Sequence, residues 1–127
     1  LFCNLDLVTG LDNLYTTGVT DMSNMFRNYS LKGQELLDLG DNFDTSSVKK
    51  MNGMFANFGI TAKKSNLRLG KAFSFESIEE VPVLVSYGVM VTSYGTVYVS
   101  SEKVKDYIIN ALNGPSLVMY HDVVLQD

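Results

Sequence analysis

The side chains best suited to catalysis are a single histidine and a single cysteine, and neither has a recognisable partner. His121 lies in an apolar stretch, where no motif places a Cys, Asp or Ser beside it. Cys3 would need an adjacent general base to act as a nucleophile, and the sequence around it supplies none. No paired acid and base and no glycine-rich phosphate loop occur elsewhere. The sequence therefore predicts no catalytic residue, no enzyme activity and no cofactor.

A run of carboxylate and amide side chains is the best candidate for a metal site. Asp38, Asp41, Asn42 and Asp44 carry the oxygen ligands that Ca²⁺ prefers. The glycine and glutamate of an EF-hand loop do not follow them. Asp and Asn are also typical of tight turns, where their side chains bond the nearby backbone. We therefore predict turns and no metal ligand, with calcium binding as the open alternative.

Four methionines, Met22, Met25, Met51 and Met54, suggest either soft metal ligands or an adaptable binding face. Within each pair the two residues are three apart, which places them on one face of a helix. Such an apolar stripe is typical of a buried surface. We therefore predict that these methionines are core residues.

An internal repeat organises the N-terminal part of the chain. Five residues, Val19, Met22, Met25, Phe26 and Asn28, recur 29 positions later as Val48, Met51, Met54, Phe55 and Asn57. At a spacing of 30, Leu37, Leu39, Gly40 and Phe43 recur as Leu67, Leu69, Gly70 and Phe73. Residues 1–4 match the end of a further copy, so we expect more repeats upstream. Periods of this length are typical of proteins whose units stack on one another.

Each unit contains the pattern of a short strand with one buried face. Leu37 and Leu39 alternate with Asp38 in the first copy. In the next copy Leu67 and Leu69 alternate with Arg68 in the same way. We therefore predict strands at residues 36–39 and at the equivalent positions from 67, with a further strand at 5–8. Asp38 and Arg68 are expected to face outward.

Each unit also contains an apolar stripe at helical spacing. In the second unit the stripe begins at Val48 and ends at Phe55, after three hydroxyl residues that can cap a helix. We therefore predict helices of about three turns over residues 19–28 and 48–58. Isolated helices of this length are marginal in water, so neighbouring units must hold them.

The repeat resembles that of a known family. Residues 43–58 read FDTSSVKKMNGMFANF and residues 67–70 read LRLG. This pattern resembles the repeat of BspA-like leucine-rich-repeat proteins, which form long arrays on bacterial surfaces, and the resemblance covers residues 1–81. It implies an α/β fold, a right-handed solenoid of short strands and short helices. The family often has a cysteine near the position of Tyr29 and Phe58, so no cysteine ladder is expected here.

The repeat pattern ends at Pro82, which lacks the N–H that a helix interior requires. The β-branched and aromatic run before Ser101 predicts two or three strands. Ser101 is a predicted helix N-cap, followed by an apolar stripe of Val104, Tyr107, Ile108, Ala111 and Leu112, and residues 117–125 form a predicted last strand. The tail resembles the closing segment of BspA-like arrays. We therefore predict one domain over 1–127, with two and a half to three repeats in 1–81 and a C-terminal β/α cap in 82–127.

Composition and charge narrow the class of partner. The chain has 127 residues and a net charge of −4, which disfavours nucleic acid and anionic lipid at long range. No run of about 18 apolar residues predicts a membrane span. The resemblance implies an extracellular location on the bacterial cell surface, and we expect a monomer.

These observations favour a recognition or adhesion module that binds a protein partner. The candidate partner-binding residues, which lie on and beside the outward side of the strands, are Asp38, Arg68, Glu35 and Asn66. Asp38 and Arg68 carry opposite charges at equivalent positions, which favours binding over a uniform spacer surface. Tyrosines in turns, Tyr15, Tyr29, Tyr87 and Tyr94, are either further binding anchors or structural residues. A passive stalk or spacer is the alternative function, and an unrecognised hydrolase is the least favoured one.

Overall fold

A computed structural model of the chain describes residues 11, 14–27, 29–55, 58, 66–80, 95–111 and 122–126. The strands among them are β1 (Leu36–Asp38), β2 (Asn66–Arg68), β3 (Thr96–Val99) and β4 (Asp122–Leu125). The helix α1 (Glu102–Asp106) continues directly as a π-helix over Tyr107–Ala111. The predicted strand at residues 5–8 lies outside the described residues.

The four strands form one parallel sheet in the order β1-β2-β3-β4, so the predicted α/β class is confirmed. One row of paired residues, Leu37, Leu67, Val97 and Val123, crosses all four strands. The first three are buried and Val123 packs against the same core. Because side chains alternate along a strand, the next residue of each strand points to the opposite face. That opposite row is Asp38, Arg68, Tyr98 and Val124.

Strand β3 continues the 30-residue spacing of the repeats. Leu37 pairs with Leu67, which pairs in turn with Val97. The sequence pattern ends at Pro82, yet the strand of the next unit recurs at the expected position and in register. The residues that connect them, 81–94, lie outside the described part of the chain.

The predicted helices over residues 19–28 and 48–58 are wrong. The described residues there form turns, each closed by an N–H that donates to the carbonyl three residues earlier. Examples are Met25 N to Met22 O and Met54 N to Met51 O, both at 3.2 Å. A stripe at spacings of three and four residues suits stacked turns as well as a helix, so the spacing could not distinguish them.

Backbone hydrogen bonds between units replace the helical ones. The N–H of Asn24 donates to Asn52 O at 3.0 Å, and that of Phe26 donates to Met54 O at 2.8 Å. Thr20 O, the helical acceptor for Asn24, instead accepts from Lys49 N at 2.7 Å. Asn24 also has a φ of 62°, in the left-handed region, which ends any right-handed helix at that residue. Each turn is therefore bonded to the next unit.

Equivalent side chains pack on one another in the core. The rings of Phe26 and Phe55 stack with centroids 5.7 Å apart and planes 3° apart. Tyr29 stacks on Phe58 at 6.1 Å. The four methionines of the repeats are all buried, which confirms their predicted core role. Val19, the first residue of the predicted stripe, is instead exposed.

Two buried threonines link the units through their hydroxyl groups. Thr16 Oγ1 donates to Asp44 O at 2.8 Å, and Thr45 Oγ1 donates to Ser74 O at 2.7 Å. The two bonds are equivalent, one unit apart. Most buried hydroxyls in proteins are hydrogen-bonded, and here the partner lies in the following unit.

The predicted helix at Ser101 is confirmed. Ser101 Oγ accepts a hydrogen bond from Val104 N at 3.2 Å, and Val104 and Ile108 are buried. The helix contacts β3 and β4. The ring of Tyr107 stacks on Phe75 with centroids 4.3 Å apart, which joins the helix to the preceding unit. Strand β4 coincides with the end of the predicted strand at 117–125, and residues 117–121 are outside the described part.

Truncation of a stacked ring tests the core. We expect Phe55→Ala to lower the free energy of unfolding by about 3 to 5 kcal/mol, because Phe55 is 1% exposed and its removal leaves a cavity. The control is Tyr15→Ala at a ring that is 94% exposed, where the loss should be below about 0.5 kcal/mol. Urea denaturation measures both, and a loss below about 1 kcal/mol for Phe55→Ala would contradict this packing.

Glycine at the end of β2 is required by the approach of β1. Gly70 has a φ of 80°, and a Cβ added there would overlap the Gly40 carbonyl oxygen. Gly33 has a φ of 82° with nothing within 4 Å of an added Cβ. Both alanine substitutions cost about 1 to 2 kcal/mol for the left-handed backbone. We expect Gly70→Ala to cost at least about 1 kcal/mol more in urea denaturation, and equal losses would show that the strands are not this close.

Candidate functional site: the outer sheet face

The candidate site is the face of the sheet that points away from the core. We call it the outer sheet face and define it by its cross-strand row, Asp38, Arg68, Tyr98 and Val124, with Leu36 and Asn66 beside that row. The strand pairing fixes the order of these residues across the surface. In β1, β2 and β3 the buried residues on either side of this row hold the backbone in place, and in β4 Val123 packs against the same core.

Arg68 is the centre of a hydrogen-bonded cluster on this face. Its Nη1 donates to Asp38 Oδ1 at 2.9 Å and its Nη2 donates to Asp41 Oδ1 at 2.7 Å. Its Nε donates to Gln126 Oε1 at 3.3 Å. The guanidinium thus connects β1, β2 and the residue after β4. The hydrogen bond to Asp38 is the largest cause that raises the pKa of Arg68 above its usual value.

The acidic residues of the cluster also accept hydrogen bonds from backbone N–H groups. Asp38 Oδ1 accepts from Gly40 N at 2.9 Å, and Asp41 Oδ1 accepts from Lys71 N at 3.1 Å. Asp44 Oδ1 likewise accepts from Ser46 N at 2.8 Å. Asp38 and Asp44 therefore have the predicted turn role, whereas the carboxylate of Asp41 accepts from the following unit.

The described residues contain no group of three or more His, Cys, Asp or Glu side chains arranged to hold a metal ion. His121 and Cys3 lie outside the described part of the chain. Of the predicted tyrosine anchors, Tyr29 is buried in the core and structural, whereas Tyr15 is exposed. Tyr87 and Tyr94 are outside the described residues.

The structure brings two of the four predicted partner-binding residues into contact. Asp38 and Arg68 form an ion pair, so the opposite charges at these equivalent positions are in direct contact. Asn66 lies on the same face, where its Oδ1 accepts from Thr96 N at 2.9 Å. Glu35 is exposed just before β1. With Asp41 included, the cluster around Arg68 carries one net negative charge.

Sequence reasoning missed Tyr98, Asp41 and Gln126 as members of this surface. Tyr98 on β3 pairs in register with Arg68 on β2 and is partly exposed. An aromatic residue is therefore the neighbour of Arg68 in the cross-strand row. The spacing of 30 between Arg68 and Tyr98 would have revealed it. Leu36 and Val124, each 42% exposed, add apolar surface to the same face.

A family comparison matches residues 1–78 to the family described as Mycoplasma protein of unknown function, DUF285. The chain belongs to this family. The matched DUF285 residues are those in which the repeats recur, and they include β1 and β2. No curated protein and no solved structure matches the chain.

The part of the DUF285 chain that the structure describes contains no helix long and apolar enough to cross a membrane.

Acid titration tests the cluster. The hydrogen bond from Arg68, followed by that from Lys71 N, lowers the pKa of Asp41 below its usual value. A carboxylate with a lowered folded-state pKa stabilises the protein above its unfolded-state pKa, about 3.9, and this contribution is lost as the pH falls through the folded-state value. We expect Asp41→Asn, which keeps an acceptor oxygen, to flatten the fall in urea midpoint between about pH 4.5 and pH 2. Parallel curves for variant and wild type would contradict the cluster.

Proposed function

We propose that this DUF285 chain is a non-enzymatic recognition module that binds a protein partner through the outer sheet face. One observation carries the proposal. The row across the four strands consists of an acid, a base, an aromatic ring and an aliphatic side chain, held in register by the pairing of the strands. Such chemical variety on a rigid surface suits specific contact, and a uniformly polar row would suit a spacer.

We infer that the chain folds as part of a right-handed solenoid of the leucine-rich-repeat type, with the C-terminal segment as its cap. The 29- and 30-residue spacings, the parallel register and the hydrogen bonds between units support this interpretation. A stack of units has an apolar end, and a terminal unit such as α1 with β4 is suited to cover it.

The resemblance of the repeats to BspA-like surface arrays supports an extracellular location at the bacterial cell surface and a role in adhesion. Repetition in a longer array would also strengthen weak contacts, because binding of one unit raises the effective concentration of the next. We propose weak to moderate affinity for each domain.

The chemistry of the face indicates what the partner presents. Arg68 is already bonded to two carboxylates, so the exposed cluster is acidic in sum, and Glu35 adds a further negative charge beside it. Tyr98, with the apolar surface of Val124 beyond it, offers a ring of the kind that often dominates binding energy. We therefore propose a partner surface that places a basic side chain next to an apolar one.

A passive spacer is the alternative function. The same register and the same stacking give a regular, self-supporting rod whatever its outer face contains. The alternative predicts that substitutions on the outer sheet face leave every interaction of the protein unchanged.

Binding measurements with surface variants test the proposal. The first variant, Asp38→Arg with Arg68→Asp and Asp41→Asn, exchanges the paired charges and removes the carboxylate that would repel the new one. The second is Tyr98→Ala. The binding partner is an extracellular-matrix or host-cell protein that binds the wild-type chain. Each variant should weaken this binding by about tenfold or more, because loss of a binding anchor costs about 1.4 kcal/mol or more of binding free energy.

The control for both is Tyr15→Ala, at an exposed ring outside the outer sheet face. It should bind as the wild type does. Asp38→Arg also removes the acceptor of the Gly40 N–H, so the charge variant is expected to be somewhat less stable than the wild type, and circular dichroism at the assay temperature checks that it is folded. If a partner binds the wild type and all three variants equally, its binding site lies outside the outer sheet face. Saturable turnover of a small molecule would refute the non-enzymatic proposal.

A further inference from the structure

A cavity of about 180 Å³ lies where the turn that follows β2 meets helix α1. Its apolar walls are Phe73, Phe75, Val104 and Tyr107. The stacked rings of Phe75 and Tyr107 make one rigid side of it. Burial raises the pKa of the Tyr107 phenol, so its hydroxyl group stays protonated at neutral pH. Cavities of similar size with apolar walls accept a single aromatic ring.

Ser74, one of the residues that line this cavity, has an unsatisfied hydroxyl group. Its Oγ is buried and has no hydrogen-bond partner among the described residues. In the preceding unit the equivalent residue is Asp44, whose carboxylate accepts from Ser46 N and from Thr17 Oγ1. Ser74 is too short to make those contacts. A hydroxyl left without a partner is costly, and rotation about its single side-chain bond can redirect it toward a bound group.

The rim of the cavity has a net positive charge. Lys71 and Lys103 line it together with a single acid, Glu76. Among the described residues neither lysine forms an ion pair, although Lys71 lies close enough to Asp41 to affect its pKa. Two ammonium groups beside an apolar cavity favour a ligand with an anionic end and an apolar body.

We propose that this cavity binds a small carboxylic acid that carries one ring or a short aliphatic chain. The apolar part lies between Phe73, Phe75 and Tyr107, and the carboxylate lies at the rim, within reach of Lys71 and Lys103. The proposal is independent of the outer sheet face, because it involves none of the residues that define that face. The same chemistry is present in a free acid and in the C-terminal residue of a peptide that ends in phenylalanine.

Titration of the ¹⁵N-labelled chain with 3-phenylpropionate, followed by NMR, is the first test. We expect saturable shifts at the amides of Ser74, Phe75 and Val104, with a dissociation constant in the millimolar range or below, as suits a ligand of this size. The uncharged 3-phenylpropanamide should bind at least about threefold more weakly. Gly-Gly-Phe with a free carboxylate, compared with its amidated form, shows whether the site accepts a peptide terminus.

A matched pair of lysine variants tests whether binding depends on the lysine at the cavity rim or on any positive charge nearby. Lys103→Gln should weaken 3-phenylpropionate about threefold or more, and Lys105→Gln, on the same helix but not at the cavity, should leave it unchanged. Both positions are on the helix surface, and circular dichroism confirms that the variants are folded. The proposal is overturned if no saturable shift appears up to about 20 mM, if the amide binds as tightly as the acid, or if the two lysine variants behave alike.

Discussion

The whole structure depends on backbone hydrogen bonds that run from one unit to the next. In the turns, the N–H groups of Met22, Asn24 and Phe26 donate to carbonyls 28 residues further along the chain. Without the neighbouring unit these groups would need other partners, and buried backbone groups left unpaired are costly. A unit of this kind is therefore stable only in contact with the next, and the two must be in register.

Register also determines the surface. Strands pair at their equivalent residues, so Asp38, Arg68 and Tyr98 become neighbours although they are 30 residues apart in the chain. The two units approach each other closely just after their strands, where Gly70 follows β2 and Gly40 follows β1. Position 70 must be glycine, because any Cβ there would meet the Gly40 carbonyl. A binding face built in this way needs no loop to position it. Its chemistry is set by one residue in each strand, and in the first three strands that residue is flanked by buried ones.

Much of this arrangement is predictable from repeat spacing. The offset of 29 places Phe26 over Phe55, and the offset of 30 places Leu37 beside Leu67, as the structure shows. The same offset places Asp38 beside Arg68, and their opposite charges then form an ion pair. Tyr98 was missed because the pattern is interrupted after Pro82. The spacing of apolar residues could not reveal that the segment from Val48 forms turns. Turns differ from a helix there in the residues with positive φ and in the hydrogen bonds between units, and neither feature is visible in the spacing.

The most direct test of the stacked-turn account is an NMR measurement of scalar coupling across hydrogen bonds. A stack of turns predicts a coupling between the amide nitrogen of Asn24 and the carbonyl carbon of Asn52, because the Asn24 nitrogen lies 3.0 Å from the Asn52 oxygen. It also predicts that the Asn24 amide exchanges slowly with solvent, since its proton is held between two units. A coupling from Asn24 to Thr20, four residues earlier, would instead show an α-helix and would contradict the stack of turns.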